Sequence, residues 1–587
     1  MTHDAASGTL VELFARSVRQ YSDRPAVSDD TRTMTYAQLD RESDAIAALL
    51  SGLGVGAEDR VGLYVNRSAG LVAAVLGVLK TGAAYLAVDA RYPDARRDYM
   101  LGNGAVKVVV TEPGWTSRLA GLSSRIVSLG QLADATSPVS RPNPRDAASV
   151  LFTSGSSGEP KAIVLEHRNL VSLAYNPDLP ALRPADRTGQ ISSVSFDAFH
   201  LELWPTLAAG AECVVLPPVP ELLAADFQRQ LTKYAITSMI VPTMVVNHVV
   251  QEDPDAFVAL RILQVGGDVL LPSACRALLG GRFAGRLFNL YGPAEITTAC
   301  TLHEVTGQDA ESDTIPIGRA LAGTSLWVLD QDRGPVAVGE TGELFIAGPG
   351  VARGYLDRPD LTDERFVTLP DSDGAVRAYR TGDLVRQRAD GTFLFVGRAD
   401  NQVKIRGYRV EPGEVERGLL RHAEVTDAVV LPHGTGNDRR LVAFVVVDDG
   451  LGTAELRARA QRDLPDFMVP SQFVVLPRIP ATEHGKRDTA ALYELLAAQR
   501  EREDAYVAPE TDTERYLATL WAELLNTERV GRDEDFFGLG GHSLLAFRMH
   551  HRVNRELGTS LTFPVVLNNT VLRDLASVLD TKLRQAA

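Results

Sequence analysis

From about residue 10 to residue 395 the chain alternates short apolar runs with stretches in which apolar residues recur every three or four positions. Val61 to Tyr64, Val108 to Thr111, Ser149 to Phe152 and Glu212 to Leu216 read as strands. Their alternation with helical patterns predicts an α/β body of parallel, helix-covered sheets. The most continuous apolar stretch, Leu71 to Val88, is broken by Lys80 and by glycines before it reaches membrane-spanning length. Pro138, Pro142 and Pro144 mark residues 137 to 146 as a surface connection into the next strand. A glycine-punctuated segment, Gly391 to Gly407, closes the body, and a smaller α+β unit reaches about residue 498. The charged run Arg500 Glu501 Arg502 Glu503 Asp504, followed by Pro509, reads as a linker. Beyond it Thr511 and Glu514 form a capping-box pattern, and Leu517, Leu520, Trp521 and Leu524 make a helical stripe. Leu545, Met549 and Val553 mark a second helix, and Leu572, Leu575, Leu579 and Leu583 a last one, which together predict a compact all-α bundle of about 75 residues. The expected boundaries are 1–396, 397–498, a linker at 499–510, and 511–587.

At 587 residues the chain needs several cores, so it is multidomain. The formal net charge of −15 repels polyanions on average and argues against nucleic acid and anionic membrane surfaces as partners. The start of the chain carries no basic, then apolar, leader, and a cytoplasmic location is expected. Cys213, Cys275 and Cys300 are too few and too scattered for a disulfide framework or a metal cluster. Lysine is rare, at seven of 60 basic residues, and three of the seven (Lys161, Lys404 and Lys486) fall inside the motifs below. There a compact, rotatable ammonium has a use that arginine does not match.

Two loops carry candidate chemistry. The first, Thr153 Ser154 Gly155 Ser156 Ser157 Gly158 Glu159 Pro160 Lys161, sits between the apolar runs Val150 to Phe152 and Ile163 to Leu165. A flexible linker would not be framed by strands. Glycines permit close backbone approach, and hydroxyls and N–H groups donate to phosphate oxygens. Lys161 follows Glu159 Pro160 and precedes Ala162, so the loop is not a Walker loop, and its last glycine is misplaced for a hydrolase elbow. The second loop is Asp535 Phe536 Phe537 Gly538 Leu539 Gly540 Gly541 His542 Ser543 Leu544 Leu545.

Thr153 to Lys161 resembles the phosphate-binding signature of the adenylate-forming superfamily, and further motifs follow in that family's order. Tyr36 Ala37 Gln38 Leu39 and Leu79 Lys80 Thr81 Gly82 Ala83 Ala84 Tyr85 precede it. Asn289 Leu290 Tyr291 Gly292 Pro293 Ala294 Glu295, Gly342 Glu343 Leu344, Tyr379 Arg380 Thr381 Gly382 Asp383 Leu384, and the run Gly397 to Gly407 come after it. Leu464 to Pro470 and His484 Gly485 Lys486 complete the set. The subgroup most similar is the adenylation domain of nonribosomal peptide synthetases. The second loop closely resembles the phosphopantetheine attachment site of peptidyl carrier proteins. The resemblance thus makes 1–396 the core of an adenylation domain, 397–498 its C-terminal lid and 511–587 a carrier, which implies an all-α four-helix bundle there.

The resemblance implies roles for single residues. ATP would be held by Thr153, Ser154, Gly155, Ser156, Ser157, Gly158 and Lys161. Tyr291 would stack on adenine, Asn289 would bind its edge, Asp383 would accept both ribose hydroxyls, and Phe395 and Arg398 would close over the sugar. Glu295 would bind Mg²⁺. Lys486 would be catalytic, because an ammonium between a carboxylate and an α-phosphate offsets the repulsion of two anions that must join. A hinge at Asp400 would exchange Lys486 for the face bearing Gly407. Ser543, at a helix start, would carry 4′-phosphopantetheine near the positive end of the helix dipole.

Ser195 Phe196 Asp197 Ala198 resembles the motif in which an aspartate takes the α-ammonium of an amino acid. The side-chain pocket would be lined by Ala198, Leu201, Ile240, Gln264, Gly266, Leu290, Thr298 and Ala299. None is charged, which points to a neutral, medium to large side chain, with Gln264 and Thr298 available to a polar tip. Implied partners are the amino acid, a phosphopantetheinyl transferase and a downstream tailoring or condensation enzyme, with room for an MbtH-like helper. The histidines His550 and His551 fall within a carrier helix and read as surface residues. Ala162, His484, Arg487 and Pro412 depart from the family pattern. An acyl- or aryl-CoA ligase is the alternative, against which Asp197 and the fused carrier both count. A decayed, non-catalytic tether is a further one, against which Lys486, Glu295 and Asp383 count together.

Overall fold

The computed structural model describes residues 8–131, 142–155, 159–224, 226–371, 374–400, 402–405, 407–434, 439–447, 451–480, 487–503, 506–525, 527–541 and 543–586. Contacts divide it into two units: one built mainly from residues up to Asn401, the other mainly from Gln402–Ala587.

The first unit holds two sheets of the expected kind. In one, strands Pro25–Ser28, Glu212–Val215, Arg187–Gln190, Ser238–Pro242, Ile262–Gly266 and Arg286–Tyr291 run parallel, and antiparallel strands finish both edges. In the other, Ala147–Thr153, Ala84–Ala87, Arg60–Tyr64, Val108–Thr111 and Arg125–Ser128 run parallel, with Lys161–Glu166 and Gly354–Tyr355 added antiparallel. Between strands Arg60–Tyr64 and Ala84–Ala87 in sequence, helix Ala69–Lys80 is buried at every residue, as its nearly unbroken apolar composition requires. Lys80 is 4% exposed and reaches Asp40 and Asp44, each at 2.6 Å. A buried ammonium is tolerated only when paired in this way.

The expectation of parallel sheets fails after residue 320. Ser325–Leu329, Thr341–Ala347, Phe366–Asp371, Gly374–Gln387 and Phe393–Arg398 form an antiparallel sheet. The connections at 372–373 and 388–392 are short, and a parallel pair needs a crossover of a dozen or more residues.

In the second unit, Val425–His433, Arg440–Val447 and Gln472–Val475 form a three-stranded mixed sheet beside helices Pro412–Leu420 and Thr453–Asp463. The chain then builds four helices, Asp512–Leu525, Ser543–Leu557, Phe563–Asn568 and Leu572–Ala586. Thr511 Oγ1 accepts from the Glu514 N–H at 3.0 Å, while the Glu514 carboxylate reaches back to the Glu510 N–H at 2.6 Å. The return bond of the capping box therefore lies one residue further out than the usual pattern. Leu517, Leu520, Trp521, Leu545, Met549, Val553, Leu572, Leu575 and Leu579 share one core, with Leu524 packed at its margin. His551 is exposed as expected, but His550 is half-buried and its Nε2 lies 2.6 Å from the Leu561 carbonyl, so it is a tertiary pin and no mere surface residue.

Gly541 is the tightest point of the carrier. A Cβ there would lie 2.3 Å from Phe536 Cδ1 and 2.5 Å from the Phe536 carbonyl. Phe536 cannot yield, since it is 1% exposed and packs edge-on against Trp521 at 4.9 Å. Gly541→Ala is expected to destabilise the bundle by about 2–3 kcal/mol, measured as faster hydrogen exchange in peptides from 511–587 of the full chain.

Candidate active site

The sheet register assembles the candidate side-chain pocket. Ile240 stands opposite Gln264, and Gly266 opposite Leu290. Residues opposite one another, or two apart along a strand, share a face, so the four lie together at the C-terminal ends of parallel strands. Those ends are where open α/β sheets hold their ligands. Leu201, Ile240, Leu290 and Ala299 pack into one apolar cluster, joined by Leu173 and Leu321.

Asp197 and Ala198 stand at the start of helix Ala198–Ala208. The segment leading to them is stapled. Glu202, fully buried, accepts from the Ile191 and Ser192 N–H groups at 3.0 Å, from Ser192 Oγ at 2.8 Å and from Gln190 Nε2 at 2.7 Å. Ser195 Oγ donates to the Ala87 carbonyl at 2.9 Å and accepts from the Asp89 N–H at 2.8 Å. Thr297 and Thr298 both adopt left-handed backbone angles, φ 64° and 74°, which β-branched residues rarely take. Their hydroxyls hold the turn: Thr297 Oγ1 donates to the Gly350 carbonyl at 2.7 Å, Thr298 Oγ1 to the Asp197 carbonyl at 2.8 Å. With its proton committed there, Thr298 Oγ1 is left with acceptor capacity only.

A second constellation surrounds Asp383. Tyr291 Oη donates to Asp383 Oδ2 at 2.5 Å, and Arg398 pairs with Oδ1 of the same carboxylate. Burial, reinforced by the adjacent carboxylate, holds the Tyr291 phenol well above its ordinary pKa, so it remains a donor. Arg398 stands across from Asp383 in the antiparallel register and turns its other edge to Asp400, with Nε to Oδ1 at 2.7 Å and Nη2 to Oδ2 at 2.8 Å. Gly382, at φ 75°, leaves the space: a Cβ there would sit 2.9 Å from both Arg398 Nη2 and Asp400 Oδ2. Phe395 packs at the margin of the main core on the same strand as Arg398. Asn289 is buried, with Nδ2 donating to the Pro316 carbonyl at 2.8 Å.

The glycine- and serine-rich loop joins two antiparallel strands, with Thr153 opposite Lys161. Thr153 ends the first strand and Ser154 is buried behind it, followed by Gly155. Ser156, Ser157 and Gly158 lie outside the described residues, as does Lys486. Lys161 and Glu295 are both buried, with Nζ 3.3 Å from Oε1, and Tyr355 Oη lies within hydrogen-bonding distance of both. Among the described residues no three His, Cys, Asp or Glu side chains gather as a self-sufficient metal site. One buried carboxylate does fit Mg²⁺, an ion that takes few protein ligands and keeps water and phosphate oxygens for the rest.

In the carrier the helix beginning at Ser543 gives that residue the helix N-terminus expected of it; its side chain lies outside the described set.

Residues 14–356 match the family of AMP-binding enzymes, residues 414–486 the AMP-binding enzyme C-terminal domain, and residues 515–579 the phosphopantetheine attachment site. The chain belongs to the AMP-binding, adenylate-forming enzymes. Its arrangement is that of a nonribosomal peptide synthetase adenylation domain joined to a carrier. It is 35% identical over 573 residues to tyrocidine synthase 3 of Brevibacillus parabrevis, covering 97% of this chain and 9% of that protein. Gramicidin S synthase 2 of Aneurinibacillus migulanus is 35% identical over 576 residues, with 13% of its length covered. The chain therefore spans about a tenth of these relatives. The holo form of PA1221, a nonribosomal peptide synthetase protein with adenylation and carrier domains bound to a vinylsulfonamide inhibitor, superposes with a TM-score of 0.84 at 30% identity, covering 98% of this chain and 97% of that one.

Within this adenylation domain, sequence reasoning missed Leu173, Leu321, Glu202 and Tyr355. Leu173 lies on helix His167–Ala174 and Leu321 follows the edge strand Arg319–Ala320, and neither carries a chemical signal apart from being apolar. Among the described residues no helix is long and apolar enough to cross a membrane.

Proposed function

We propose that the chain activates a neutral α-amino acid with ATP and loads it onto its own carrier, acting in the cytoplasm. A substrate carboxylate oxygen bonds to the α-phosphorus as the bond from that phosphorus to the bridging oxygen breaks, giving aminoacyl-AMP and pyrophosphate. The observation that carries the reading is the uncharged face built by Ile240, Gln264, Gly266 and Leu290; Asp197, at the start of helix Ala198–Ala208, would offer its carboxylate to the α-ammonium. A charged side chain on that face would lose its hydration without gaining a partner.

Tyr291 offers its ring to adenine, Asn289 offers Oδ1 to an adenine amino group, and Asp383 exchanges Tyr291 and Arg398 for ribose hydroxyls, with Phe395 beside them. Thr153, Ser154, Gly155, Ser156, Ser157, Gly158 and Lys161 meet the phosphates, and Glu295 holds Mg²⁺, which neutralises phosphate charge when bound. Lys486 joins the reacting anions. Ser543 would hold the arm, whose thiol would take the aminoacyl group with release of AMP, after a rotation at Asp400. A phosphopantetheinyl transferase installs the arm, a downstream tailoring or condensation enzyme removes the load, and an MbtH-like helper is a further candidate partner.

ATP–pyrophosphate exchange across the proteinogenic amino acids tests this. The expected result is exchange confined to neutral side chains, with Asp, Glu, Lys and Arg at least about a hundredfold weaker. Preference for any of those four would overturn the pocket assignment.

A further inference from the structure

Tyr355 is brought to Lys161 and Glu295 by strand pairing. It stands opposite Ile163, which puts it on the face that Lys161 shares, one diagonal step away. All three side chains are buried, at 5%, 5% and 0% exposure for Tyr355, Lys161 and Glu295. The phenol is fixed from several sides. Phe366 meets the ring edge-on at 5.5 Å, Lys161 Nζ lies 4.4 Å from the ring centroid, and the Tyr355 N–H donates to Thr362 Oγ1 at 3.0 Å.

Its hydroxyl does two things at once. It accepts from Lys161 Nζ at 2.9 Å and donates to Glu295 Oε1 at 2.8 Å. The ammonium and the carboxylate oxygen are left 3.3 Å apart, beyond the 2.7–2.9 Å or so of a closed charge-assisted bond. We infer that Tyr355 is a positioning residue for metal-nucleotide binding: its hydroxyl acts as a spacer that keeps Lys161 and Glu295 from collapsing into a closed ion pair. The inference rests on the reading above in which Glu295 takes Mg²⁺ and Lys161 takes phosphate. A closed pair in a buried setting competes with both ligands, because the cation must displace the ammonium and the phosphate must displace the carboxylate. By holding Oε1, the phenol also sets the plane of the carboxylate and hence the direction of Oε2.

The test uses Tyr355→Phe, which keeps the ring and removes the spacer, beside wild type and Glu295→Gln in the full chain. ATP-induced rise in melting temperature is titrated with Mg²⁺ in the absence of amino acid, so no turnover contributes. Adenosine, which lacks phosphate, is run in parallel. The half-saturating Mg²⁺ concentration is expected to rise about tenfold in Tyr355→Phe, while stabilisation by adenosine equals that of wild type. An unchanged Mg²⁺ titration overturns the inference. So does an equal loss with adenosine, since the hydroxyl would then merely shape the pocket, and so does a chain that does not fold. If Glu295→Gln leaves the Mg²⁺ titration untouched, the metal-ligand reading itself fails, whatever Tyr355→Phe does.

Discussion

Ser543→Ala is expected to abolish covalent loading completely while leaving ATP–pyrophosphate exchange at the wild-type rate. On the function proposed, the first half-reaction takes place in the adenylation domain and needs nothing from the carrier. The second, on the same reading, needs an accessible thiol, and since Cys213, Cys275 and Cys300 are all buried, the arm added to the Ser543 hydroxyl is the source expected. Helix Ser543–Leu557 begins at that residue, where N–H groups without intrahelical partners stabilise a phosphodiester. A serine that merely capped the helix would cost about 1 kcal/mol on replacement and would leave loading intact. Intact-mass measurement after treatment with a phosphopantetheinyl transferase, coenzyme A, ATP and amino acid separates the two. Any mass gain on the variant would assign the arm to another residue.

Lys486→Ala is expected to slow adenylate formation by about 10²–10³-fold, the usual loss when one preorganised charge is removed from a transition state. Carboxylate and triphosphate repel one another, and no neutral donor replaces the lost cation. Transfer from chemically prepared aminoacyl-AMP to the carrier should proceed at the wild-type rate, because that step takes place after the two anions have already been joined. Lys486→Arg should not restore the first step, since a planar guanidinium does not present a compact rotatable charge. Equal exchange rates for Lys486→Ala and wild type would sink the assignment. An equal loss in both half-reactions would point to misfolding of the lid.

What the sequence by itself determined is whatever is encoded locally. The loop from Thr153 to Lys161 and the stretch from Asp535 to Leu545 are contiguous, so their chemistry can be read without a fold. Three of the four carrier helices were equally plain, because a 3.6-residue period records burial directly, while Phe563–Asn568 is too short to show one. Parallel strands were foreseen where helices separate them, and misjudged after residue 320, where the connections at 372–373 and 388–392 are too short for a parallel crossover.

The tertiary structure alone decided the rest. Tyr355 and Lys161 are 194 positions apart in the chain, and only the register of Gly354–Tyr355 on Lys161–Glu166 brings them together. Thr298 lies 101 residues from Asp197, yet its hydroxyl holds the carbonyl of the residue proposed to bind the substrate ammonium. Arg398 joins Asp383 to Asp400 because one guanidinium has two edges and Gly382 leaves room for both. Such pairings depend on strand register and close approach, which arise from packing over the whole molecule. No local pattern of residues records them.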